Sequence, residues 1–274
     1  MTRWKQAATQ ITRAFWMVLA LAGVCFGGGG APATDDAQTL AELLNRTGDQ
    51  TSAFLNEFSN VKCTEQVRQE KFAKDDKLIL KEESTYDYLV ILTNSGGDLN
   101  LSESRLPLRQ AKADRKNTSM LLSNGFATLF LVFHPYYAEA FKFALAGEEV
   151  IGGYPFEKVT FRHVTGMKSP AALALRGREY PLELSGTAWI DPRTGTIARI
   201  EAGIEDTLQD VGLKSLHLEI DFAPVPFADS KTVYWFPMQA MVDVETPRQH
   251  WRNLHRFTEY KKFSVDTDEK VATK

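Results

Sequence analysis

Cysteine and histidine are scarce in this chain: 274 residues hold two of the first and five of the second. Two thiols close at most one intrachain bridge, which excludes a small disulfide-stapled scaffold. The histidines are scattered and supply neither the ligand spacings of a zinc site nor a His-Glu-x-x-His helix. No Gly-x-Ser-x-Gly elbow, phosphate-cradling glycine loop or Cys-x-x-Cys pair occurs. No uncharged apolar run reaches the ~20 residues that a membrane-spanning helix needs. Positive charge is not in excess either, with 32 Lys and Arg against 35 Asp and Glu and no basic stripe. A nucleic-acid partner is therefore not expected. Neither a cofactor nor a metal is expected, and no residue presents itself as catalytic.

What is present begins with the first 33 residues, which read as an export signal. Arg3, Lys5 and Arg13 make a positive start without acidic residues. An uncharged run of 13 residues follows from Ala14 to Phe26, then Gly27 to Gly30 and the small-x-small site Ala31-Pro32-Ala33. A membrane anchor and a lipid anchor on Cys25 are the alternatives. The run is short for the first, and Val24 is a poor predecessor for the second. The expected localisation is the periplasm or the exterior, with the chain peripheral to a membrane at most. Residues 34–266 are expected to form a single domain, and 267–274 a charged flexible tail. Taking Arg3, Lys5 and Arg13 from 32 leaves 29 basic against 35 acidic side chains, a formal net of −6. Cys63 is then the one remaining thiol, expected to be buried and inert.

Along the mature chain, Leu40, Leu43, Leu44, Thr47, Thr51, Phe54, Leu55 and Phe58 recur three and four apart, which predicts a helix over 37–59. Gly48 interrupts it and admits two shorter helices, and Thr34 to Asp36 read as a loose N-cap-like start. From Val61 the pattern alternates: Val61, Cys63, Glu65 and Val67 on one face, then Tyr86, Tyr88, Val90 and Leu92. Residues 102–105 read as a short strand and 109–117 as an exposed loop. Met120 to Phe133 is apolar nearly all round, a second helix buried on several sides or covering an apolar cavity, ended by His134-Pro135. Strands follow around Phe141–Leu145, Val159–Phe161, Trp189–Ile190, Ile197–Ile200, Leu216–Phe222, Met238–Val244 and Phe257–Val265. Asp191-Pro192-Arg193-Thr194-Gly195 is the clearest hairpin turn. Consecutive strands joined by short turns give an antiparallel meander with one wet face. The other face needs cover, and the two apolar helices are the cover available. The fold class is α+β, mainly β: a large, strongly curved antiparallel sheet with helices in its concavity.

Some residues admit a chemical reading beside a bland one. His250 and His255 are five apart, which puts them on opposite faces of a strand, so they are not expected to share a metal. Arg248 to Arg256 is basic and aromatic enough to hold an anionic head group with Trp251 as a stacking surface. Glu245 and Glu259 flank it, however, and a hairpin loop leading into a solvated strand is the expectation. Glu65, Glu103 and Asp191 are acidic residues near strands, with Glu103 expected to pair locally with Arg105.

Trp189-Ile190-Asp191-Pro192-Arg193-Thr194-Gly195 and Trp235-Phe236-Pro237 resemble elements of the LolA-like periplasmic half-barrels, which include lipoprotein carriers and envelope stress sensors. The order of elements across most of the mature chain is similar too. The resemblance implies a curved sheet wrapped around helices, with an apolar cavity for acyl chains. Phe126, Leu129, Phe130, Trp189, Leu218 and Ile220 are the candidate cavity and lid residues. Three functions stay open: a carrier of lipid or lipoprotein acyl chains, a non-enzymatic envelope interaction or sensor module with a self-filled core, and a secreted hydrolase whose site is invisible in sequence. The partner is accordingly an acyl chain or an envelope protein. Cleavage is expected after Ala33. The intact mass of the exported protein checks it: a chain starting at Thr34 is the expected result, and a diacylated Cys25 or a retained N-terminus would contradict it.

Overall fold

The computed structural model describes residues 32–95, 98–110, 129–175, 178–205, 212–227 and 233–263. Helix α1 spans Pro32–Phe58. The strands that follow are β1 (Val61–Phe72), β2 (Leu78–Ser95), β3 (Asp98–Gln110), β4 (Phe141–Ile151), β5 (Tyr154–His163), β6 (Ala172–Leu175), β7 (Arg178–Pro181), β8 (Leu184–Ile190), β9 (Ile197–Ile204), β10 (Ser215–Val225), β11 (Tyr234–Glu245) and β12 (His250–Lys262). Ten of them form one open antiparallel sheet in the order β3-β2-β1-β12-β11-β10-β9-β8-β5-β4, and β6 and β7 make a separate small hairpin. The chain thus meanders outward from β1 to one edge, crosses to the other edge at β4, and returns strand by strand until β12 closes against β1.

The period-two patterning places the core. Val61, Cys63, Glu65 and Val67 turn to the face that carries α1, as do Ile220 of β10, Ile200 of β9 and Ala188 of β8, which pair across neighbouring strands. α1 lies on this inner face. The sheet curves around it: the Phe58 ring lies 6.3 Å from Tyr88 on β2 and 5.5 Å from Phe236 on β11. In a flat sheet those strands would stand three spacings, about 14 Å, apart. Both edges are blunted against pairing with another chain. β3 carries Pro107, which has no N–H to offer, and β4 is bulged between Leu145 and Glu148 with Gly147 at φ +93°.

Three details depart from the sequence reading. Gly48 does not break α1, which runs through it and starts upstream of the loose cap expected at 34–36. Gly48 is instead a point of close approach, since a Cβ there would meet Pro135 Cγ at 3.3 Å. β3 extends to Gln110, so Arg109 belongs to a strand, because β2 continues opposite it and supplies pairing partners. Of the second helix candidate, 120–128 lies outside the described residues. Its end is a helical turn at 129–130 continuing as short 3₁₀ segments, Leu131–Phe133 and Pro135–Ala140, broken at His134 as the following proline dictates.

The Asp191–Gly195 turn forms as its sequence demands. Asp191 Oδ1 accepts from the amides of Arg193 (2.8 Å) and Thr194 (3.4 Å), and Gly195 N–H donates to Asp191 O at 2.8 Å. Gly195 is left-handed at φ +75°, and a Cβ on it would lie 2.6 Å from the Arg46 carbonyl carbon. Gly195→Val therefore meets both backbone strain and a clash with α1. A loss of about 1–3 kcal/mol is expected, measured as a lowered urea midpoint. An unchanged midpoint would mean that the turn is not so held.

Candidate functional site

The inner face divides into an apolar and a polar half. In the apolar half, Phe54 of α1 stacks on Phe130 with centroids 4.2 Å apart, and Phe130 meets Phe222 edge-on at 4.4 Å. Phe236 lies beneath Phe54 and Phe58, stacked in turn on Tyr260 at 5.0 Å. Leu129, Phe130 and Ile220 are all buried here, and Leu218 packs at the margin. These four of the six candidate cavity residues thus belong to one continuous core. Phe126 lies outside the described residues. Trp189 is apart from them, on the outer face with Phe156 and Ala198, because its neighbours Ala188 and Ile190 take the inward positions. There its indole N–H donates to Glu149 at 2.9 Å, and the side chains of Lys158 and Arg199 lie over its ring at 5.5 and 5.6 Å.

The polar half is built from β1, β3 and β12. Arg105 grips Glu65 through two parallel bonds, Nε to Oε2 at 2.6 Å and an Nη2 to Oε1 at 3.0 Å, and also reaches Glu103 at 2.9 Å. His255 Nδ1 lies 2.8 Å from Glu65 Oε1. A carboxylate can only accept, so Nδ1 carries the proton. Glu65 and His255 have no side-chain exposure at all, and Arg105 stacks over Tyr88 at 5.0 Å. Burial alone would push Glu65 up, but its bonds to His255 and Arg105 together hold it below the usual carboxylate range. Burial dominates at His255, lowering it despite the adjacent carboxylate. For Arg105, burial works downward and the two glutamates more than offset it, so the guanidinium is held charged. Cys63, buried and free, is pushed up first by burial and then by Glu65, as expected of an inert thiol.

Sequence reading brought Glu103 and Arg105 together correctly, and it separated His250 from His255. His250 faces outward between Asp243 (2.9 Å) and Asp76 (3.6 Å). It missed that Glu65, Arg105 and His255 meet. The available signal was the charged Glu65 at an inward position of an otherwise apolar alternation. In the Arg248–Arg256 stretch, the Thr246–Gln249 turn and the pairing of Arg252 with Asp243 at 2.8 Å fit the bland reading. Trp251 is buried beneath Lys71, so it offers no open stacking surface. Among the described residues, no three His, Cys, Asp or Glu are grouped to hold a metal, and no helix is long and apolar enough to cross a membrane.

No family model matches the chain, and no curated protein sequence is similar to it. Solved structures do align with it over most of their length. A LolA superfamily protein, NE2245 from Nitrosomonas europaea, has 9% identity and a TM-score of 0.38, over 84% of this chain and 97% of that one. A DUF1329 family protein from Desulfovibrio piger has 13% identity and a TM-score of 0.42, over 85% and 95%. An outer membrane lipoprotein-sorting protein domain from Vibrio parahaemolyticus has 8% identity and a TM-score of 0.42, over 82% and 94%. These likenesses are too distant to bear on function. The fold rests on this chain's own strand order, which has the curved sheet and helical cover that the LolA-like resemblance implied.

The buried pair sets a pH dependence. Glu65 and His255 both have folded-state values below their unfolded ones, so on acidification the unfolded chain takes up protons first. Their stabilisation is full above the ordinary histidine value of 6.5, begins to fall below it, and falls further below the ordinary glutamate value of 4.5 as the depressed folded-state values are reached. Urea midpoints are expected to drop as the pH is lowered below about 6.5 toward about 5, and His255→Gln should flatten that window. Equal slopes in both proteins would contradict the assignment.

Proposed function

We propose that the protein is an exported, non-catalytic module of the cell envelope whose inner sheet face is filled by its own chain and which acts by contacting another envelope protein. The observation that carries this reading is the continuous packing of Phe54, Phe58, Leu129, Phe130, Ile220 and Phe236, in which the space under α1 is taken by side chains. A non-catalytic role is supported at the Glu65–Arg105–His255 cluster of the inner face. It is sealed from solvent, whereas a reacting group must reach its substrate.

A second reading, an acyl-chain carrier, is favoured by one feature. Phe54 is only half-buried, and among the described residues the side chains of α1 are tied to the sheet side by Arg46 to Pro192 O at 2.9 Å and Glu57 to Lys262 at 3.0 Å. The lipid or lipoprotein acyl chain of that reading would take the place of Phe54 against Phe130 and Phe222, meeting mainly apolar resistance.

Phe130→Ala separates the two. If Phe130 belongs to a filled core, truncation costs about 3–5 kcal/mol, and a fluorescent fatty acid binds neither the wild type nor the variant. Saturable binding to the wild type, altered by the mutation and with a clearly smaller stability loss, would replace the module reading by the carrier.

A further inference from the structure

The outer face of the sheet carries a trough of its own, on the side away from α1. It crosses β10, β11, β12 and β1 and encloses about 650 Å³. Two cross-strand rows form it, and register sets both. In one, Glu219, Met241, Leu254 and Arg68 stand opposite one another in turn. In the other, two residues along each strand, Asp221, Gln239, Arg256 and Gln66 do the same. Between the rows lie Ile220, Ala240, His255 and Val67, which turn inward, so both rows face outward.

Charge is unevenly shared along the trough. At the β10 end one guanidinium, Arg199, serves three carboxylates, Asp221 at 2.5 Å and Glu219 and Glu201 at 3.9 Å each. Three negative charges against one positive leave that end negative. Toward β1, Arg68 is taken by Glu70 at 3.0 Å and Glu83 by Lys81 at 2.8 Å, so these charges cancel. Arg256 is exposed and makes no ion pair or side-chain hydrogen bond among the described residues, which leaves this end positive. Between the two ends Met241 and Leu254 are half-buried and apolar. Gln239 donates to Asp221 at 2.6 Å and keeps its side-chain carbonyl free to accept, and the exposed Gln66 amide both donates and accepts.

This pattern matches an extended peptide. Glu219 and Arg256 are two strands and two residues apart, about 12 Å by strand geometry. An extended chain covers that distance in about four residues, and positions four apart share one face of it. The position midway between them, on the same face, falls over Met241 and Leu254. A glycan fits less well, because no Phe, Tyr or Trp lines the trough to stack on a sugar ring.

We propose that the outer trough docks an extended polypeptide segment with a basic, an apolar and an acidic residue at alternate positions. This docking surface rests on the envelope-interaction reading and gives the partner of that reading a location and a charge pattern.

Two capped heptapeptides titrated against the ¹⁵N-labelled mature protein test the trough. Gly-Lys-Thr-Val-Thr-Glu-Gly should shift the amides of residues 66–68, 239–241 and 254–256, and Gly-Lys-Thr-Val-Thr-Lys-Gly should bind roughly tenfold more weakly. Arg256 has no side-chain bond to lose, and Arg256→Glu should invert that preference. No shifts, shifts confined to other residues, or an unchanged preference in Arg256→Glu would overturn the proposal. Photo-crosslinking in the envelope, with p-benzoylphenylalanine in place of Gln66 or of the exposed Lys142 on β4, separates it from the reading beneath it. An adduct with another protein at Gln66, lost in Arg256→Glu, supports both. An adduct at Lys142 alone keeps the interaction module and removes the trough. An adduct with a second copy of this chain at Gln66 would replace the foreign segment by self-association. The predicted peptide preference without an adduct at either position keeps the trough and removes the module.

Discussion

The packing of α1 against the inner face is the interaction on which the rest depends. A ten-stranded antiparallel sheet has two faces, and the patterning of its strands makes one of them apolar across most of its width. Left uncovered, that face would be a large exposed apolar patch. The rings of Phe54 and Phe58 gather Phe130, Phe222, Phe236 and Tyr88 from four separate parts of the chain. The curvature of the sheet follows, since one helix reaches strands this far apart only if the sheet bends toward it.

The polar half of the inner face follows a different economy. A bidentate arginine and a histidine on one buried glutamate give excellent geometry, yet desolvating the charges consumes much of the attraction. The cluster is weak evidence for added stability as a whole. Removing a single member is another matter, since the remaining charge would be left buried. Its clearer consequence is positional: it fixes β3 and β12 on either side of the β2–β1 pair, because three side chains with strict directions can be satisfied in one register only.

The outer face is solvated but not unstructured. Asp221 accepts from Arg199 at 2.5 Å and from Gln239 at 2.6 Å, linking β9, β10 and β11 in one row, and Trp189 continues it beneath the Arg199 side chain. Such rows hold register where no core does. Trp189 shows how a large aromatic residue can mislead. Its size suggests the core, yet only parity along β8 decides its face, and parity puts Ala188 and Ile190 inside.

The sequence by itself determined the elements and their faces. Alternation in β1, β10 and β11, the Asp-Pro-x-x-Gly turn and the helical recurrence of α1 are local properties, governed by period, turn chemistry and side-chain shape. It also determined that Glu103 and Arg105, two residues apart on one strand, could pair. Only the tertiary structure decided what meets across large separations. Glu65 and His255 come together because β12 returns to β1 after the whole meander. Gly48 is an approach point rather than a break because Pro135 lies against it. Gly195 serves a helix as well as a hairpin because α1 crosses the turn. Each of these depends on how the sheet curves, and curvature is a property of the assembled strands that no local stretch of sequence encodes.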